Sequence, residues 1–207
     1  MFAGHYAPSF AFARPARVPL WVLFLAAQFV DILWAALVLA GVERVRLVPG
    51  FTASSPLALD YMPYSHSLTA TLAWALLLGA LGTMLWERRG GLLIGGCVVA
   101  HWLLDLLVHV PDLPLYGDHL KVGFGLWNYP VLSFLLEAAL LLLAVGLYAR
   151  GARLAFPFWI FALAILAMQA SSFFLPLPDT PRAFVMMALA NYTGLAVVAG
   201  LLERRWG

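Results

Sequence analysis

The chain has 207 residues, of which 64% are hydrophobic and only 11% charged, with a formal net charge of +2. Soluble domains carry about 45–50% apolar and about 25% charged residues, so a chain this apolar cannot cover itself with polar surface in water, and lipid is expected as its outer solvent. The basic residues form no stripe interleaved with aromatics, which excludes nucleic acid as a partner.

The apolar residues are grouped. A helical span needs about 20 of them in a row, and six segments qualify: Val18–Gly41, Ser65–Trp86, Leu92–Val110, Pro130–Ala149, Leu154–Leu175 and Ala183–Leu202. These predict an all-α fold, a polytopic membrane helical bundle of about six transmembrane helices, in one membrane domain covering residues 1–207. Arg14 and Arg17 precede the first run, and Val38-Leu39-Ala40 loosely resembles a signal-cleavage site. The run is too long for a signal h-region and holds Asp31, so the first helix is expected to remain. Arg88-Arg89-Gly90-Gly91 and Arg150-Gly151-Ala152-Arg153 predict tight turns, as does the three-proline stretch from Leu175 to Pro181. The two longer connections, Val42–Tyr64 and Pro111–Tyr129, have the length of loops that cover a site. Gly79, Gly82, Gly95 and Gly96 predict close approach of the second and third helices.

Basic residues set the expected orientation. Arg14, Arg17, Arg88, Arg89, Arg150, Arg153, Arg204 and Arg205 fall on one side, against Arg44, Arg46, Lys121 and Arg182 on the other. The excess predicts both termini in the cytoplasm and the two longer loops outside.

Ionisable groups inside a span cost at least about 2.5–3.5 kcal/mol at its centre, so each needs a reason. The first span holds Gln28 and Asp31 on one face; the third holds His101, Asp105 and His109 at four-residue intervals, again one face. His66 stands at the mouth of the second span and Glu137 two turns into the fourth. In the expected topology these groups lie at similar depth, toward the outside. His101 and Asp105, one turn apart, offer an imidazole and a carboxylate side by side, a pair that suits zinc or manganese. Asp31 and His66 are the natural completing ligands, His5 is a fifth candidate, and Glu137 is the candidate general base. His109 stays outside the ligand set, because histidine is tolerated near an interface. Asp112 reads as a turn residue, and Asp118 and His119 as solvated loop residues.

Gly4-His5, Asp31, Pro63-Tyr64-Ser65-His66-Ser67 and His101-x-x-x-Asp105 follow one another along the first two thirds of the chain. This order resembles the YdjM-type family of bacterial inner-membrane proteins, described as membrane-bound metal-dependent hydrolases. More distantly it is similar to zinc-dependent phospholipases C, which also place His and Asp one turn apart on helices. The resemblance implies a divalent cofactor, zinc first and manganese second, held by His5, Asp31, His66, His101 and Asp105. It implies hydrolysis of an ester or phosphoester, with a lipid or amphiphile as substrate. His5 rests on this resemblance, since by the charge count its segment starts on the cytoplasmic side. Either that segment enters the bundle, the topology is reversed, or His5 is no ligand. Two other readings compete: an ion- or proton-coupled transporter with Asp31, Glu137 and His101 as protonation sites, and a non-enzymatic membrane assembly protein whose polar cluster only locks packing.

Overall fold

The computed structural model of the chain describes residues 1–175 and 178–207. Of the expected three-proline turn, Pro176 and Leu177 lie outside the described residues. The chain is mostly helical: α1 (Ala7–Ala16), α2 (Leu20–Ala27), α3 (Phe29–Leu39), α4 (Leu68–Val108), α5 (Pro130–Ala149), α6 (Phe156–Ser171) and α7 (Pro181–Trp206). Two small antiparallel hairpins, β1 (Arg44–Leu47) with β2 (Leu57–Tyr61) and β3 (Leu113–Tyr116) with β4 (His119–Val122), occupy the two longer connections.

The N-terminal segment enters the bundle. A 3-10 turn (Ala3–Tyr6) leads into α1, and Ala3, His5, Tyr6, Ser9, Phe10 and Ala13 are all buried. Small and aromatic residues let this helix lie between α5 and α2, where Tyr6 and Phe10 pack on Phe24. At its far end Arg14 donates from Nε to Tyr148 O at 2.7 Å and lies over the Tyr148 ring. Thus α1 runs from the cluster at His5 to the arginine-rich end. Met1 lies buried beside Asp105, so the N-terminus does not share the C-terminal end of the bundle, as the charge count alone implied.

The first expected span is broken. Helices α2 and α3 meet at Gln28 (φ −99, ψ 6) with a bend of 54°. The bend turns the Ala27 carbonyl toward α4, where His101 Nδ1 takes it at 2.6 Å.

The second and third expected spans form one helical hairpin. Ser67 caps α4, its Oγ accepting from Ala70 N at 3.1 Å, so the helix starts at Leu68. Trp86 (φ −131, ψ 31) and Glu87 (φ 59, ψ 175) leave helical geometry inside it. The chain doubles back there: Gly79 packs against Gly91 and Gly95, and Gly82 against Gly91 and Ile94. Gly96 faces Phe12 of α1 instead of the other arm. Glu87 occupies a backbone region that costs a side chain about 1–3 kcal/mol and that glycine enters without strain. Glu87→Gly is therefore expected to raise the thermal midpoint of the purified protein by several degrees; an unchanged or lower midpoint would show that the turn is unstrained.

Prolines at the starts of α5, α6 and α7 cost no helical hydrogen bond. Arg153 N donates to Trp206 O at 2.9 Å, Leu20 N to Glu203 Oε2 at 2.7 Å, and Gly90 abuts Val18 and Ala16. The eight arginines counted together above thus gather at one end. The β-hairpins lie at the other, where Val45, Leu59, Met62, Trp102 and Leu113 pack with Trp34 in a second core. On the hairpin surface Arg46 donates twice to Asp60, both at 2.7 Å, and holds that carboxyl below its usual range.

Helices α4, α5 and α7 are each long and apolar enough to cross a membrane, and the bent α2–α3 pair makes a fourth if it counts as one span. The helix within the expected fifth span has 16 residues, fewer than the about 20 a full crossing needs. Leu76, Met84, Leu92, Val131, Leu143 and Val197 point outward from these helices, exposed.

Candidate metal centre

Five residues named from the sequence meet at one point, although they come from four separate parts of the chain. Asp105 is at the centre. Its Oδ1 lies 3.1 Å from His5 Nε2, and its Oδ2 lies 3.0 Å from His101 Nε2 and 3.8 Å from His66 Nε2. Asp31 Oδ1 completes the ring, 3.3 Å from His66 Nε2 and 3.7 Å from His101 Nε2. The His5 and His101 rings stack at 3.7 Å between centroids. The Met1 amino group donates to Asp105 Oδ1 at 2.7 Å.

These separations match the edges of a coordination sphere. Two ligands each about 2.0–2.2 Å from a tetrahedral ion lie about 3.4 Å from one another. Two groups, His5 with His101 and Asp105, and Asp31 with His66 and His101, each bring one ligand atom per residue within 4.8 Å of the others and could hold a metal ion. Each group is two imidazoles and one carboxylate, a donor set known from catalytic zinc. His5 Nδ1 is buried without a hydrogen-bond partner, and His5 Nε2 and His101 Nε2 lie beside Asp105 at 3.1 and 3.0 Å without hydrogen-bond geometry. Leaving such a group unpaired costs about 1–3 kcal/mol, and a cation removes that cost. Because His101 Nδ1 is held by Ala27 O, His101 has only Nε2 to offer, so both groups draw on the same nitrogen and an ion in one of them takes it from the other.

The far nitrogens of His66, His101 and His109 are held by other groups, which sets their tautomers and aims each of these Nε2 atoms inward. His66 Nδ1 lies 2.8 Å from Ser65 Oγ, which itself donates to Glu43 Oε2 at 2.6 Å. Glu43 Oε1 accepts from Tyr64 N and Ser65 N, both at 2.9 Å. His109 Nδ1 lies 2.8 Å from Asp112 Oδ1, and its Nε2 points at Asp105 Oδ1 from 3.7 Å. His109 and Asp112 are therefore part of the cluster's surroundings, not merely an interfacial histidine and a turn residue. Glu43 gave no signal of its own, standing in the charged stretch Glu43-Arg44-Val45-Arg46. His109 did, by its four-residue spacing from Asp105.

Glu137 is placed differently. Its Oε2 accepts from Phe2 N at 2.9 Å and Gly4 N at 3.1 Å, and Gln169 Oε1 accepts from Ala3 N at 3.3 Å. Glu137 thus anchors the turn that carries His5, and it belongs to neither ligand group. Asp118 pairs with Lys121 at 2.9 Å on the surface, as a solvated loop residue should.

A cavity of about 460 Å³ reaches the cluster from one side. Asp31, His66, Asp105, His109 and Glu137 line it, whereas His5 and His101 do not. Asp31, with 14% of its side chain exposed, is the most open ligand candidate. No protein-family model matches the chain, and neither a curated protein nor a solved structure matches it.

Proposed function

We propose that the chain is a metal-dependent hydrolase embedded in a bilayer, acting on an ester or phosphoester of a lipid or amphiphile. One observation carries this reading: two carboxylates and three imidazoles, from four parts of an apolar chain, converge with ligand spacing and with buried nitrogens left unpaired. Their meeting point is open to a cavity on one side, as a catalytic site requires and a purely structural metal site does not. The resemblance to YdjM-type proteins supports a bacterial inner membrane. If the two arms of α4 and the short α6 each cross, the bundle has six crossings, with the arginine-rich end in the cytoplasm and the hairpins outside.

In this reading His5, Asp31, His66, His101 and Asp105 bind one divalent ion, zinc by preference and manganese as the alternative. When bound there, such an ion would acidify a water and polarise the oxygen of the scissile group. Backbone donors on Oε2 hold Glu137 at the cavity wall, where its carboxylate would take the water's proton.

Elemental analysis of the purified protein tests the reading. About one zinc or manganese per chain is expected, and His101→Ala should lose it while keeping its helical circular-dichroism signal. Metal-free wild-type protein that cannot be loaded would leave the transporter or packing readings standing. Stoichiometric iron would point to oxidative chemistry, because two histidines and a carboxylate also form the facial set of non-haem iron.

A further inference from the structure

Of the histidines held at Nδ1, His101 and His109 have partners that settle the ring proton by themselves. Ala27 O beside His101 and the Asp112 carboxylate beside His109 can only accept, so each Nδ1 carries the proton and each Nε2 keeps a lone pair. His66 differs. Its Nδ1 lies 2.8 Å from Ser65 Oγ, and a hydroxyl both donates and accepts. If that hydroxyl donated to Nδ1, the ring proton would stand on Nε2, the nitrogen that faces Asp31 and Asp105. A protonated Nε2 has no lone pair to give a metal ion.

Glu43 removes the choice. Its Oε1 accepts from Tyr64 N and Ser65 N, both at 2.9 Å, and its Oε2 accepts from the Ser65 hydroxyl at 2.6 Å. The hydroxyl has one proton, spent on Glu43, so toward His66 its oxygen can only accept. The ring stands on a fixed backbone: His66 N donates to Met62 O at 3.1 Å, and His66 O accepts from Trp102 Nε1 at 2.8 Å. Glu43, Ser65 and His66 are all buried, so bulk water does not compete for these bonds. Glu43 lines a second cavity, beside Arg44, Arg46 and Arg182, and not the one that reaches the centre. Its route to the centre is through Ser65 and His66.

We infer that Glu43 is a positioning residue: through Ser65 it fixes His66 in the form protonated at Nδ1 and keeps Nε2 free for the ion. This rests on the reading of His66 as a metal ligand and deepens it.

Glu43→Gln tests the inference because the new amide has one way to sit. Its oxygen must face the two backbone N–H groups, which leaves its NH2 group pointing at Ser65 Oγ. Ser65 then turns its own proton to His66 Nδ1, and the ring proton moves to Nε2. Nuclear magnetic resonance of the metal-free chain in detergent micelles, with isotope-labelled histidine rings, reads the tautomer, and His66→Gln assigns the signal. The wild type is expected to carry the proton on Nδ1 and Glu43→Gln on Nε2. Zinc affinity, measured against a competing chelator, should fall about ten- to a hundredfold in Glu43→Gln. In a Ser65→Ala background the same substitution should change it by about twofold or less, because the link is already cut. A wild-type His66 protonated at Nε2 would overturn the inference, and that measurement needs no variant to fold. So would a Glu43→Gln protein that keeps the wild-type tautomer or zinc affinity, or an equal loss in both backgrounds. If the tautomers behave as expected and the wild type takes up no zinc, the hold of Glu43 on His66 stands and the metal reading falls.

Discussion

Asp105→Ala is expected to empty the centre and to destabilise the bundle by about 3–5 kcal/mol, the cost of breaking a buried charged network from one side. No other side chain in the cluster touches as many partners: His5, His66, His101 and His109 all face its two oxygens within 3.8 Å. Removing it leaves imidazoles from three parts of the chain aimed at a void. Asp105→Asn separates the two effects. The amide keeps the volume and a hydrogen-bonding oxygen but lacks the anionic charge that holds a cation. The Asp105→Asn protein is expected to stay folded, with a smaller fall in thermal midpoint, and to purify without metal. Retention of stoichiometric metal by this variant would show that Asp105 is not a ligand.

The second large effect is expected far from the centre. At Gly91 a methyl group would sit well inside van der Waals distance of Thr83 Oγ1 and the Gly79 carbonyl, and 2.6 Å from Thr83 N. Two of these are backbone atoms, so no side-chain rotation relieves the clash. Gly91→Val must push the two arms of α4 apart, at about 3 kcal/mol or more. Because His101 and Asp105 ride on the second arm, the same substitution should lower metal content. Gly96→Ala is the control: its methyl group would meet only Phe12 Cε2, at an ordinary 3.6 Å. It is expected to leave both melting and metal unchanged. Equal behaviour of the two variants would mean that the arms do not pack as described.

Much of the centre is legible in the sequence because each member is out of place in an apolar run. Asp31, His101, Asp105 and Glu137 stand out against oil. The spacing of His101 and Asp105 puts both on one face without any knowledge of neighbours. What the sequence does not carry is pairing across long separations. Glu43 carries no sign of burial in its own stretch, and its place depends on the amides of Tyr64 and Ser65, which lie 21 and 22 positions further along. The bend at Gln28 has no proline or glycine to announce it, and its purpose is visible only beside His101. The hairpin in α4 is displaced from its expected place: Arg88-Arg89-Gly90-Gly91 already belongs to the second helical arm, and the chain reverses just before it, at Trp86 and Glu87. The N-terminal segment is the largest surprise of charge counting. Arg14 and Arg17 do sit with the other arginines, but the residues before them return to the centre.

That return imposes an order on assembly. Phe2, Ala3 and Gly4 bond to Glu137 and Gln169, residues made more than 130 positions later. The opening segment can pack early on Phe24 of α2, but the backbone donors of Phe2, Ala3 and Gly4 find their partners only once the fourth and fifth apolar stretches have left the ribosome. The turn that carries His5 is thus fixed in place only after translation has passed Gln169.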